Sequence, residues 1–256
     1  MRSDPSLPAV LITGAAHRLG AAMARAFAAH GWHVIVHYGS SGDAARRLAA
    51  ELPSAEAVQC DLADSDAAEA MIRDLAARLP DWRVLVNNAS VFAEDTVERP
   101  DPKVFARSMA INAATPARMA RSFLAHARSA AGRRVIQLTD QKLANPNPDF
   151  YSYTISKHAV DAAAHMLAMA CKGEDKVLRL APGAILPSHD QTPAEAEVSH
   201  RMNLLRRRTG ADEIAAAALF LATAPVANGQ VLFVDSGQHL VPQPRDVLYL
   251  AREETG

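Results

Sequence analysis

The sequence predicts a doubly wound α/β fold: about seven parallel strands in one sheet, with helices on both faces. Three observations predict it. Short apolar runs rich in Val, Ile and Leu recur along the chain, separated by longer Ala-rich stretches of helical period. The apolar runs lack strict polar alternation, as strands buried on both faces do. A glycine turn follows the first run and leads at once into a helical stretch. Strand–helix alternation at this spacing builds right-handed βαβ units and a parallel, Rossmann-type sheet.

Seven runs read as strands: AVLIT (9–13), WHVIVHY (32–38), AEAVQCDL (55–62), RVLVNNAS (83–90), RRVIQLTD (133–140), DKVLRLAPG (175–183) and QVLFVDSG (230–237). Helical runs such as LGAAMARAFAAHG and PARMARSFLAHARSAAG lie between them. No linker or low-complexity segment divides the 256 residues, so 1–256 is expected to form a single domain with a full core. Segment 184–203 is polar, carries two prolines and follows a strand's carboxyl end, which reads as a lid over a site. The tail 241–256 carries Pro242 and Pro244 and then a short amphipathic stretch. It is too small to fold alone and is expected to dock on its own subunit or a neighbour.

Composition excludes several function classes. With 27 Lys and Arg against 28 Asp and Glu, the chain has no electrostatic footprint for nucleic acid. The dense basic run Arg206–Arg207–Arg208 reads as a solvated face, with contact to an anionic ligand as the alternative. No apolar run is long enough to span a membrane, and the short polar N-terminus is unlike a signal peptide. Cys60 and Cys171 form no C-x-x-C pair, which suits a reducing cytoplasm with both thiols packed as apolar groups. The histidines are scattered without ligand spacing, so no metal is expected.

The first strand runs into TGAAHRLG, Thr13 to Gly20. Strand, tight turn and helix N-terminus together make a pyrophosphate cradle. Gly14 supplies the turn and Gly20 lets helix and strand approach, while Arg18 stands where the middle glycine is usual. An NAD-selective site has an acid at the tip of the second strand to hold the ribose 2′-hydroxyl. Here His37, Tyr38, Ser40 and Ser41 occupy the tip, and the first acid is Asp43, beyond Gly42. Those hydroxyls, with His17, Arg18 and His37 nearby, favour NADP (NADPH) over NAD. Asp61, in CDL, is placed either to accept from the adenine amino group or to cap the next helix.

Tyr153 and Lys157 are four residues apart and share one helix face. An ammonium beside a phenol favours the phenolate, so Lys157 is expected to lower the Tyr153 pKa and make it a useful proton donor near neutrality. Asp140 ends an apolar run upstream of the tyrosine. It is read as a substrate-facing acid, with a turn cap after the fifth strand as the alternative.

At this point the sequence resembles the short-chain dehydrogenase/reductases over nearly its whole length. The matching pieces are TGAAHRLG, CDL, NNAS (87–90), Asn112 in MAINAATP, YTISK, APG (181–183) and NGQVLFVDSGQHL. The resemblance implies that Asn112, Tyr153 and Lys157 hold three of four catalytic positions, with Asp140 at the fourth, where the family usually has serine. It also implies cofactor contacts from Leu19, Leu62, Asn88, Ala89, Ser90, Pro182 and Gly183, and commonly a homotetramer. Arg18 in the loop, NNAS, Asp140 and His37–Tyr38 together resemble the pteridine reductases and bacterial dihydromonapterin reductases. That subgroup would reduce a C=N bond of a small-molecule pterin with NADPH. Phe92 would then sandwich the pterin against the nicotinamide, Ser90 would touch the cofactor, and Arg18 would reach a ring atom. Simple packing is the alternative for Phe92. The parasite-type enzymes carry an arginine where Ser40 stands. Two rival functions stay open: a general carbonyl or 3-oxoacyl reductase of the same fold, and a non-catalytic NADP-binding regulator. The regulator should lack the Tyr/Lys pair.

Overall fold

The computed structural model describes residues 7–188 and 190–255. Its strands are β1 (Ala9–Ile12), β2 (His33–Tyr38), β3 (Ala55–Gln59), β4 (Trp82–Asn87), β5 (Arg134–Leu138), β6 (Lys176–Pro182) and β7 (Val231–Val234). Its helices are α1 (Arg18–Ala29), α2 (Gly42–Glu51), α3 (Ser65–Arg78), α4 (Pro102–Ser108), α5 (Thr115–His126), α6 (Tyr151–Ala170), α7 (Pro193–Ser199), α8 (Ala211–Thr223) and α9 (Val247–Thr255). A π-helical stretch, Met109–Ala114, runs α4 into α5. The strands form one seven-stranded sheet in the order β3-β2-β1-β4-β5-β6-β7. Every ladder is parallel. The order reverses between β1 and β4, the switch point where such sheets bind ligands.

Successive strand residues feed opposite cores, which is why the sequence shows no polar alternation. Val10, Ile12, Val34, Val36, Val84 and Val86 pack with α1 and α8 on one face. Ala9, Leu11, Ile35, Leu85 and Val135 pack with α3, α5 and α6 on the other. Trp82 and Phe123 meet edge-on at 4.8 Å inside the second core.

All seven expected strands are present, but most are shorter at their carboxyl ends. Thr13, 60–62, 88–90, 139–140 and 235–237 leave the ladder. Some keep a single backbone bond to the neighbouring strand, as Thr13 does to Val86 and Thr139 to Leu180, while their other polar groups turn to loops. Thr13 Oγ1, for example, accepts from the backbone N–H groups of Asn88 and Ala89, both at 2.9 Å.

The polar segment 184–203 contains α7, closed at its start by a capping box between Thr192 and Glu195. The tail forms α9 and docks on its own chain. Arg252 pairs with Asp190 at 2.7 Å, and Tyr249 donates to Glu94 at 2.5 Å. The basic run lies on the surface, where Arg207 pairs with Glu213 and Arg208 with Glu197. No helix among the described residues is long and apolar enough to cross a membrane.

Candidate active site

The phosphate loop is built by backbone shape. Gly14 takes φ +63°. A Cβ on Gly20 would lie 2.4 Å from the Gly14 carbonyl oxygen, so only glycine lets α1 approach the turn. Arg18 sits at φ +54°, in the left-handed region that glycine adopts freely. The glycine usual at that position is therefore missing from the sequence, but its conformation is kept. No side chain caps α1 and no acid stands in its first turn. In contrast, Asp64 caps α3 with bonds from the N–H groups of Asp66 and Ala67. The start of α1 thus presents uncapped, uncountered donors, and the loop fits a dinucleotide pyrophosphate.

A pocket of ≈ 280 Å³ opens beside this loop. Gly14, His17, His37, Tyr38, Ser40, Ser41, Asp61, Leu62, Ala89 and Ser90 line it, so most of the expected cofactor residues meet here. Asn88 lies behind it, with Nδ2 donating to the Thr13 carbonyl at 2.8 Å. Two expectations need correction. His37 offers no charge to a phosphate. Its Nδ1 accepts from the Gly14 N–H at 3.2 Å, its Nε2 faces the Cys60 carbonyl at 3.1 Å, and burial lowers its pKa to about 4. It is a neutral pin between the loop and β3. Asp61 does not cap α3, because Asp64 does; Asp61 Oδ1 holds the Ala63 N–H instead. Two arginines that the sequence reading passed over bring positive charge to this end. Arg107 lines the pocket from α4. Arg46 donates to Asp43 at 2.7 Å and reaches the Tyr38 hydroxyl at 3.4 Å. The start of α2 places Arg46 one turn beyond Gly42, a periodicity that could have revealed it.

A second pocket of ≈ 250 Å³ holds the candidate catalytic groups. Arg18, Leu19, Phe92, Asp140, Tyr153 and Gly183 line it, so the loop arginine and Asp140 share one cavity. The Tyr153 hydroxyl donates to Asp140 Oδ2 at 2.6 Å. The other oxygen, Oδ1, accepts from the Lys142 N–H at 2.8 Å and caps the short turn Gln141–Leu143. The cap reading of Asp140 therefore holds on Oδ1, while Oδ2 is engaged by the Tyr153 hydroxyl at the pocket wall.

The expected lowering of the tyrosine pKa is overturned. Lys157 Nζ lies 5.6 Å from the Tyr153 ring centre and donates to the Leu138 carbonyl at 3.0 Å. Burial first, and then the facing carboxylate, push the phenol well above its ordinary value. Burial also raises Asp140 and lowers Lys157 to about 8. The Asp140 carboxyl is enclosed by its neighbours even though the residue as a whole keeps some exposure.

Asn112 sits in the π-helical stretch, a kind of bulge that recurs at functional sites. It is buried and clamps Val91: Oδ1 accepts from the Val91 N–H at 2.8 Å, and Nδ2 donates to the Val91 carbonyl at 2.9 Å. Nδ2 also reaches Ser156 Oγ at 3.0 Å, tying the loop after β4 to α6. Phe92 stacks on Phe150 at 4.0 Å and meets Tyr153 edge-on at 4.7 Å. It is packed on one side and open to the pocket on the other. Ser90 lines the first pocket and not the second, with its hydroxyl directed at the Val91 carbonyl. Pro182 ends β6 and leads into Gly183.

Comparison with known proteins fits this geometry. A short-chain dehydrogenase family model described as enoyl-(acyl carrier protein) reductase matches residues 14–239. The chain belongs to the short-chain dehydrogenase/reductase family. It is similar to the FolM alternative dihydrofolate reductase 1 of Brucella canis, solved in complex with NADP. That likeness has a TM-score of 0.85 and 32% identity, and covers 93% of this chain and 96% of that one. It is 26% identical to the dihydromonapterin reductase of Citrobacter koseri, over 94% of this chain and all of the relative. It is also 26% identical to a putative ketoacyl reductase of the granaticin polyketide synthase from Streptomyces violaceoruber, over 93% of this chain and 98% of that one.

As a short-chain dehydrogenase/reductase, the chain has further pocket residues outside the family motifs. Segment 184–203 contributes Ile185, Leu186, Ser188, Gln191, Ser199 and His200. Arg18 is anchored to it through the Leu186 carbonyl at 3.3 Å. The tail contributes Asp246, Val247 and Leu248, and Lys142 links the tail to Asp140 through Asp246 and its own backbone N–H. Lys142 and Asp246 carried no sequence signal, because their partners lie far away along the chain.

Proposed function

We propose that this protein is an NADPH-dependent reductase acting on a C=N bond of a pterin of the dihydromonapterin, dihydrobiopterin or dihydrofolate type. One observation carries the reading: the Asp140 carboxylate faces the Tyr153 phenol at 2.6 Å in a pocket also lined by Arg18 and Phe92. When bound, NADPH supplies the hydride. Reduction of C=N also needs a proton at nitrogen. Tyr153, held protonated by burial and by Asp140, is the hydroxyl donor placed in the pocket to give it. Asp140 accepts from the ring N–H or amino groups of a pterin, which serine could do only weakly. Phe92 offers a flat apolar face to the ring, and Arg18 a donor at the loop.

The 2′-phosphate assignment is supported by Ser40 and Ser41 at the strand tip and by the Arg46 guanidinium beside Tyr38. Asp43, the acid that could have favoured NAD, is engaged by Arg46 instead. We read the working form as a cytoplasmic homotetramer. The exposed Met166 and Met169 on α6 support self-association, which analytical ultracentrifugation measures directly.

The granaticin relative favours a second reading, a ketone or 3-oxoacyl reductase. Asp140→Ser separates the two. Serine has one oxygen, so it can cap the turn or face the phenol, but not both. If the pterin reading is right, pterin reduction falls about 10- to 150-fold, the value of a hydrogen bond to a charged group, while reduction of an activated ketone falls less or rises. An unchanged ratio of pterin to ketone efficiency, with thermal melting as the control for folding, refutes the pterin reading in favour of the ketone one. The same assay run with NADPH and NADH should favour NADPH.

A further inference from the structure

Resting on the pterin reading, we propose that Lys142 and Asp246 form a dyad that binds the hydroxylated side chain of the substrate, making the C-terminal tail part of the substrate site. Lys142 is only 5% exposed. Its ammonium donates to the Asp149 carbonyl at 2.8 Å and to Asp246 Oδ2 at 3.0 Å. An ammonium has three donors, so one N–H makes no hydrogen bond, and the ammonium lies 5.5 Å from the Phe150 ring centre. Asp246 Oδ1 accepts from the Leu248 N–H at 3.1 Å, and the carboxylate keeps further lone pairs. Both residues line the reactive pocket, and both also line a recess of ≈ 30 Å³ behind it. The pair shares the wall between the two spaces with Gln141, Gln238 and Val247.

Anchoring of the tail does not account for this pair. Arg245 Nε binds Asp149 at 2.8 Å, Tyr249 binds Glu94 at 2.5 Å and Arg252 binds Asp190 at 2.7 Å. Each of these holds the tail nearer the surface. Burying a further ion pair carries a desolvation penalty that hydrophobic side chains of the same volume avoid. A fixed donor beside a fixed acceptor is instead the complement of a hydroxyl group, which gives one hydrogen bond and takes another, and it suits a vicinal diol best. The pocket disfavours a long substituent, because its ≈ 250 Å³ lies below the usual range for drug-sized ligands. The selected substrate is therefore a pterin with a short, neutral polyol at the ring position that faces the tail.

The test compares two probes in the full-length enzyme with NADPH: 7,8-dihydromonapterin, which carries a trihydroxypropyl group, and 6-methyl-7,8-dihydropterin, which carries none. In Asp246→Asn, the ratio of their kcat/KM values should fall by about 10- to 150-fold, mostly through KM for the polyol substrate. Lys142→Met combined with Asp246→Leu removes both charges at once and should give the same loss. It decides the matter if Asp246→Asn fails to fold in a melting experiment. A ratio that stays at the wild-type value overturns the dyad and leaves the pterin reading intact, as does an equal fall for both probes. If the wild-type enzyme reduces neither probe, the pterin reading fails, and the dyad falls with it.

Discussion

The two pockets of this protein are built in different ways. The pocket beside the phosphate loop is lined by segments that follow β1, β2, β3 and β4, together with Arg107 and Ile111 beyond them. Its chemistry is largely backbone chemistry: a left-handed turn, an uncapped helix start and a glycine that must lack a Cβ. The reactive pocket gathers Arg18, Phe92, Asp140, Tyr153, His200 and Asp246 from the whole length of the chain. Its chemistry is side-chain chemistry. The difference teaches where specificity can vary: the first pocket tolerates few changes in shape, while the second can be rebuilt segment by segment on the same sheet.

The sharpest way to separate the two pockets is Tyr153→Phe. The phenol faces the reactive pocket, and its loss removes a proton donor and little volume. Turnover should drop by 10²–10⁴, the usual worth of a general acid. NADPH affinity, measured by fluorescence titration, should stay within about twofold. A variant that keeps more than about a tenth of wild-type turnover would show that another group delivers the proton.

The same contrast explains what could be read from the sequence. The seven strands, the phosphate loop and the Tyr153–Lys157 face were legible, because each depends on local periodicity or on a motif a few residues long. Asp140 was half legible. Its position was plain, but the division of its two oxygens between a turn and a phenol depends on Lys142 and Tyr153 coming together in space. The direction of the tyrosine shift was misread, since four-residue spacing places Lys157 on the same face without saying how far its ammonium reaches. The folded Lys157 spends its hydrogen bond on Leu138. His37 was misread for a related reason. A histidine at a strand tip looks available until the Gly14 and Cys60 groups that immobilise it are visible. The tail residues of the pocket were illegible, because no periodicity links position 246 to position 142.

Lys157 is buried beside Tyr153 on α6, and pH tests it. Burial sets its folded pKa at about 8, against an ordinary 10.5. If the ammonium is the working form, kcat/KM should fall above pH about 8, roughly tenfold per pH unit. Stability should move the opposite way. Between about 8 and 10.5 the unfolded chain holds this proton and the folded chain has lost it, so the contribution of Lys157 to stability rises with pH across that window. Lys157→Arg keeps its charge past that range and should lose the activity limb, whatever its absolute rate. A limb that persists in the arginine variant assigns the titration to another group.

The smallest effect is also the finest test of the comparison, because it falls on the one residue that serves both constructions. Arg18 belongs to the phosphate loop by backbone and to the reactive pocket by side chain. Its left-handed conformation costs on the order of 1–2 kcal/mol for a residue with a Cβ. Arg18→Gly removes that strain, but it also gives the unfolded chain more freedom, which offsets about 0.4–1 kcal/mol. The net gain should be about 1 kcal/mol or less, a rise in Tm of about 2–4 °C at most for a chain of this size. The contact with the Leu186 carbonyl is exposed and adds little to this balance. Cofactor affinity should hold, because the loop keeps its shape. Pterin efficiency should fall about tenfold, since the pocket loses its donor at the loop. A strained residue at a site motivates a functional role for its side chain, and this variant measures both sides of that exchange in one protein. If melting temperature and pterin efficiency both rise, the arginine serves neither pocket, and the strained loop has no functional explanation in substrate binding.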